Sequence, residues 1–310
     1  MHHSWVEWTV FFGIIVFMLV LDLGVFQKKS HKLEMKEALI WSGVWIALSV
    51  MFGIYIYLME GSGQALNYFT GYLLEKSLSV DNIFVFILIF SYFKVNDKYQ
   101  HKILFWGIIG ALIMRAIFIV AGIALMQTFH FMIYIFGALL IYTAIKMIVD
   151  KDKEIHPEHN PVIKFFRKHF RVSEHREDGK FFLKDNLGKL VATPLFIVLL
   201  VIETTDVVFA VDSIPAILAI TNDTFIVFTS NIFAILGLRA LYFAVSGVMQ
   251  LFRYLSYGLS AILGFIGLKM LASDFFEIPI QYALGVIAVI LTISILASVW
   301  IKEKPKELKE

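Results

Sequence analysis

Nine apolar stretches, each about as long as a bilayer-crossing helix, take up most of this 310-residue chain. A crossing helix needs about 20 such residues. The runs lie at 5–26, 37–59, 66–93, 102–126, 129–149, 190–220, 225–251, 254–273 and 279–301. The first has no basic segment before it and no small-residue cleavage site after it, so it is expected to be a span rather than a cleaved signal. The pattern predicts an all-α polytopic membrane protein with nine transmembrane helices. Composition agrees, with 59% of residues hydrophobic and 17% charged, against about 45–50% apolar and about 25% charged in soluble domains. That excludes an ordinary soluble enzyme, a nucleic-acid binder and a disordered chain. A net charge of +2 gives no global attraction to an anionic partner. With no cysteine, disulfides, thiolate catalysis, iron–sulfur clusters and cysteine zinc sites are excluded too.

Basic residues crowd alternate loops. Lys28, Lys29, Lys32 and Lys36 follow the first run, Lys94, Lys98 and Lys102 the third, and Arg253 the seventh. Ten Lys or Arg residues lie in 151–189, and Lys302, Lys304, Lys306 and Lys309 close the chain. The connections at 61–64, 127–130, 221–223 and 273–278 have none. Cytoplasmic loops carry the basic excess, which predicts the N-terminus outside and the C-terminus in the cytoplasm. In the 151–189 loop, Val162–Val172 mixes phenylalanines with basic residues, as a helix lying on the inner membrane surface would. His156, His159, His169 and His175 there match no ligand spacing, so a solvated basic loop is expected.

Two parts of the chain resemble each other. Ser79-Val-Asp-Asn-Ile-Phe-Val-Phe86 aligns with Thr204-Thr-Asp-Val-Val-Phe-Ala-Val211, placing Asp81 on Asp206. Leu112–Ala116 aligns with Leu236–Ala240, placing Arg115 on Arg239, and Tyr134–Lys146 aligns with Tyr257–Lys269. The offsets, 125, 124 and 123 residues, keep one register. Spans three to five thus recur as spans six to eight. Three spans is an odd number, so one copy lies upside down relative to the other. Inverted repeats mark secondary transporters, with the substrate at the midplane where the copies meet. The expected organisation is 1–59 (two helices), 60–150 (first repeat), 151–189 (basic loop), 190–273 (second repeat) and 274–310 (last helix and tail).

Ionisable residues deep in a bilayer cost about 2.5–3.5 kcal/mol each. Glu75, Lys76 and Asp81 lie in span three, Glu203, Asp206 and Asp212 in span six, and Asp22 near the inner end of span one. Arg115 and Arg239 fall in mid-span and are expected as counter-ions. Six carboxylates thus face three cations, an imbalance that a divalent cation or protons could offset. With Asn82, and with Ser79, Thr204, Thr205 and Asp22 as accessory groups, the carboxylates form a hard oxygen environment. Such ligands suit magnesium, calcium and manganese. Glu203 and Asp206 share a helix face, as do Glu75, Ser79 and Asn82. Asp81 and Asp212 join those faces only if the helices open, at Ser79–Asn82 and ahead of Pro215. Lys146 and Lys269 are expected to snorkel to opposite surfaces.

Glu75-Lys-Ser-Leu-Ser-Val-Asp-Asn82 and Glu203-Thr-Thr-Asp-Val-Val-Phe-Ala-Val-Asp-Ser-Ile-Pro-Ala216 resemble the two signature segments of the TerC family of integral membrane proteins, and Thr229–Ala240 fits as well. The likeness runs over nearly the whole chain and is greatest to the pH-responsive, Alx-type branch. It implies a bacterial inner-membrane protein linked to manganese export and, historically, to tellurite resistance. It also implies that Glu75, Asp81, Glu203, Asp206 and Asp212, with Asp22, matter. Some relatives are tied to membrane-protein assembly, so family membership does not fix the substrate.

The leading expectation is an exporter of Mn²⁺, bound by Glu75, Asp81, Asn82, Glu203, Asp206 and Asp212. Moving positive charge out against an inside-negative potential costs about 2.3 kcal/mol per charge per 100 mV. No G-x-x-x-x-G-K-[ST] motif is present, so proton antiport is expected to drive it. Ca²⁺ or a sodium-coupled process is one rival, and an assembly protein with merely structural buried charges is another. No G-x-G-D, H-E-x-x-H or G-x-S-x-G segment argues for a hydrolase. No prosthetic group is expected. The partners are a divalent ion and the bilayer, and homo-oligomerisation is left open.

Overall fold

The computed structural model describes residues 5–26, 35–149, 179–184, 190–246, 254–276 and 278–300, with 164, 166, 168 and 172. Ten helices appear among these residues: α1 (Trp5–Phe26), α2 (Met35–Glu60), α3 (Ser62–Tyr92), α4 (Asp97–Thr128), α5 (Met132–Val149), α6 (Pro194–Leu218), α7 (Thr224–Ile235), α8 (Leu238–Ser246), α9 (Leu255–Leu271) and α10 (Ile280–Trp300). Polar caps mark two of the described helix starts. Asn96 accepts from the Lys98 amide at 3.2 Å, and Asp223 accepts from the Phe225 and Ile226 amides at 3.0 and 3.2 Å. Such caps satisfy amides that have no partner inside the helix.

The bundle is apolar on its outer faces and in most of its core, with a few buried charged and polar side chains. On α4, Ile113, Ile117 and Val120 are each more than half exposed, while Arg115 is 1% exposed. On α10, Val289, Ile293, Leu296 and Trp300 form an exposed stripe at helical spacing. Exposed apolar faces this extensive need an apolar surrounding. Five helices (α2, α4, α5, α6, α10) are long and apolar enough to cross a membrane among the described residues, and six if α7 and α8 count as one bent span. Of the other expected spans, α1 over Trp5–Val20 and α9 are shorter apolar helices. α3 runs 31 residues but carries Glu75, Lys76 and Asp81.

Three boundaries differ from the sequence expectation. The sixth helix starts at Pro194, because 190–192 form a strand. That strand, β2 (Leu190–Ala192), pairs antiparallel with β1 (Phe182–Lys184). Thr193 fixes the junction: its Oγ1 donates to the Lys180 carbonyl at 2.7 Å and its amide to Phe181 at 2.9 Å. Lys102 Nζ on α4 donates to the Gly179 carbonyl at 2.8 Å. Second, α3 and α6 do not open at Ser79–Asn82 or ahead of Pro215; both run through. Pro215 sits in the last turn of α6, so the one backbone bond it removes, to the Val211 carbonyl, falls close to the helix end. Third, the break falls between α7 and α8, which meet at 42°. Gly237, at φ +80°, makes that bend, and the Trp45 ring lies against its open side. Most of the expected surface helix at 162–172, and the four loop histidines, lie outside the described residues. Within it, Lys164, Phe166 and Lys168 are helical, and Phe166 packs on Phe196.

Packing is reciprocal. The α5–α9 contact is the most extensive, α4 lies along α6, and α7 lies along α3. At the α5–α9 crossing the helices meet backbone to backbone: a Cβ on Gly267 would lie 2.8 Å from the Gly137 carbonyl oxygen. Beside it, Ser260 Oγ donates to the Ala144 carbonyl at 2.6 Å.

Candidate functional site

Two apolar clusters leave a polar belt between them. On α3 the first cluster ends at Tyr72 and the second begins at Ile83; on α4 the limits are Ile119 and Ile108; on α6 they are Ala210 and Ile202. Glu75, Ser79, Arg115, Glu203 and Asp206 fall within these gaps. The first cluster includes an aromatic group from α1, α2, α3 and α7, with Phe11, Phe52, Tyr68 and Phe233 at its heart. The second closes the other end with Phe86, Phe90, Leu104, Val198 and Tyr242.

Arg115 is the hub of the belt. Its guanidinium forms an ion pair with Glu75 of α3, and its Nη2 lies 3.7 Å from Asp206 Oδ1 of α6. Its Nη1 donates to Ser213 Oγ at 3.0 Å and to Asn231 Oδ1 of α7 at 3.1 Å. Asn231 Nδ2 is held by the Val227 carbonyl at 3.1 Å, which fixes the amide so that its oxygen serves the arginine. All five residues are at most 4% exposed. Asp206 Oδ2 and Ser79 Oγ are buried with no hydrogen-bond partner. Two carboxylates and one guanidinium leave the centre one negative charge in surplus when all are ionised. Such a charge inside protein is costly unless something offsets it.

The other expected site residues make none of these contacts with Arg115. Glu203, one turn before Asp206, is half-buried, and its carboxylate fills the space beside Gly110 that a Cβ would need. Asp81 accepts from Ser256 Oγ of α9 at 3.1 Å, and Asp212 accepts from Thr143 Oγ1 of α5 at 2.7 Å. Asn82 is buried. Thr204 and Thr205 donate back to their own helix, at Leu200 and Val201. Arg239 is buried at the second position of α8, just past the bend. Lys76 Nζ donates to the Ala234 carbonyl at 3.1 Å, at the end of α7 where carbonyls lose their helical partners. Lys146 is exposed, while Lys269 Nζ donates to the Ala219 carbonyl at 3.3 Å. The Asp22 side chain lies outside the described residues. Among the described residues, no three of the His, Asp and Glu side chains gather closely enough to hold a metal ion as they stand. Sequence reasoning missed Ser213 and Asn231. The signal for the second was present: Thr229-Ser-Asn231 is a polar triplet in an otherwise apolar helix.

Fold and centre together define a multi-pass helical membrane protein with a charged core sealed from both ends. The chain belongs to the TerC family of integral membrane proteins, which it matches over residues 60–306. It is 48% identical to an uncharacterized membrane protein of Myxococcus xanthus, over 94% of this chain and 91% of that one. It is 46% identical to a protein of Salmonella typhi named as a candidate membrane-bound redox modulator, Alx, over 97% of each. It is 44% identical to the Escherichia coli K12 protein of the same name, over 95% of this chain and 94% of that one. No solved structure matches it.

Proposed function

We propose that the chain is an inverted-repeat secondary transporter of the bacterial inner membrane that exports Mn²⁺ through the Arg115 centre in exchange for protons. The observation that carries this reading is the donor set. Glu75, Asp206, Ser213 and Asn231 converge from α3, α6 and α7 with oxygen atoms only, and oxygen suits manganese, magnesium and calcium. Glu203, one turn away, extends the set.

The repeat reading draws support from packing. On a 123-residue offset, Gly137 corresponds to Ser260 and Ala144 to Gly267. The Gly137–Gly267 crossing thus has its own image in the Ser260–Ala144 contact. Likewise α4 on α6 is the image of α7 on α3. Nine spans, with α1, α3, the bent α7–α8 pair and α9 all crossing, make that inversion possible and put the N-terminus outside. The relatives' name points to redox. This chain has no cysteine, so its own thiols cannot serve, and control of a redox-active metal would give that name a physical basis.

The test is ⁵⁴Mn efflux from manganese-loaded cells lacking other exporters, comparing wild type with Asp206→Asn at matched membrane abundance. Loss of efflux at normal abundance is expected, as is loss of wild-type export on collapsing the pH gradient. If Ca²⁺ competes with Mn²⁺ at equal concentration, the ion is wrong. A rival reading makes Arg115 a tie between helices and nothing more. It predicts that Asp206→Asn lowers abundance and spares efflux per molecule.

A further inference from the structure

We infer that Arg115 is a tethered stand-in for the transported cation: its guanidinium and a divalent ion occupy the same oxygen cage by turns. The inference rests on the transport reading above and assigns that site a mode of exchange.

Three observations carry it. The first is the division of charge among helices. Every group around the guanidinium is an oxygen acceptor from α3, α6 or α7, whereas the cation alone comes from α4. A shift of α4 against the other three would withdraw the positive charge and leave the cage whole. The second is unused donor capacity. Asp206 Oδ2 is buried without a hydrogen-bond partner, and so is Ser79 Oγ, one turn from Glu75 on the same face of α3. Guanidinium is planar and its hydrogen bonds lie in that plane, so it leaves oxygens of a three-dimensional cage unserved. Small divalent ions take about six oxygen ligands around a sphere. The third is closure. Apolar clusters seal the belt on both sides, so the two carboxylates have no ready access to bulk counter-ions. The cage therefore needs a cation of its own when the cargo has left. Arg115 supplies it. The carrier can then return with one carboxylate compensated by Arg115 and the other by the proton taken in exchange, and it cannot return with them bare, which ties the two halves of the cycle together.

Equilibrium ⁵⁴Mn binding to purified protein in lipid nanodiscs tests this with wild type, Arg115→Lys and Arg115→Met. Removing the competitor should tighten binding at least tenfold in Arg115→Met. Arg115→Lys, whose ammonium cannot reach four acceptors at once, should lie between it and wild type. Mn²⁺ should also raise the Tm of Arg115→Met more than that of wild type. If Arg115→Met does not accumulate, the order of Arg115→Lys against wild type decides. Equal or weaker binding in the folded variants, with wild type still binding Mn²⁺, overturns the stand-in and leaves the transport reading in place. Binding by none of the three removes the site as a divalent-cation site, and both readings go with it.

Discussion

A buried arginine between two carboxylates makes the charge balance at the centre easy to perturb in steps. Neutralising one carboxylate, Glu75→Gln or Asp206→Asn, leaves one anion for one guanidinium, so the bundle should still assemble. Neutralising both leaves Arg115 buried without an anion, and breaking a buried pair in that way costs about 3–5 kcal/mol. The double variant is expected to accumulate poorly in the membrane, and adding Arg115→Met to it should restore abundance. Equal abundance of the single and double variants would show that the guanidinium finds another partner. The charged members of this centre were legible in the sequence because ionisable residues stand out in apolar runs. Ser213 was not, since Ser occurs often in helices and commonly bonds its own backbone, and Asn231 showed only within the polar Thr229–Asn231 triplet. Thr204 and Thr205 show the reverse: they sit beside the acidic residues in sequence, yet their hydroxyls bond back one turn.

At the scale of the elements, the α5–α9 crossing is the most demanding packing feature. Gly267 has backbone atoms of Gly137 and Ile141 within 3.2 Å of where a Cβ would sit, and backbone cannot rotate away. Gly264, three residues earlier, would place its Cβ 3.8 Å from the Ala144 Cβ, an ordinary contact. Gly267→Ala is therefore expected to lower the Tm in detergent. Gly264→Ala should leave it unchanged or raise it, since alanine gains about 0.8–1.0 kcal/mol over glycine in a helix interior. Equal shifts from both would mean that the helices can part at no cost. Apolar length located most helices but misplaced the break. Pro215 looked like the breaker, yet it falls where α6 is about to end. Gly237 bends the chain because Trp45 of a distant helix leaves room for nothing larger, and periodicity along one segment cannot register that. The β1–β2 hairpin escaped for a related reason. Phe182-Leu-Lys184 and Leu190-Val-Ala192 are three residues each, too short for alternation to show.

For the whole molecule, the absence of cysteine gives a clean test of the proposed inversion. Asp97, the first residue of α4, and Asn222, two residues before α7, are exposed and stand at equivalent register. A membrane-impermeant maleimide should label Asn222→Cys in intact cells and Asp97→Cys only after permeabilisation. Labelling of both from one side would refute the upside-down arrangement. The same register exposes an asymmetry in the core. The image of Asp206 is Asp81 and that of Arg115 is Arg239, but Glu75, Ser213 and Asn231 have Leu200, Leu88 and Gly107 as theirs. A duplicated framework could have kept two matching chambers. On the proposed inversion, the counterpart keeps Asp81 and Arg239 but has leucine or glycine where the centre has Glu75, Ser213 and Asn231. On the transport reading proposed above, each chain would then handle its cargo one ion at a time, at a single centre.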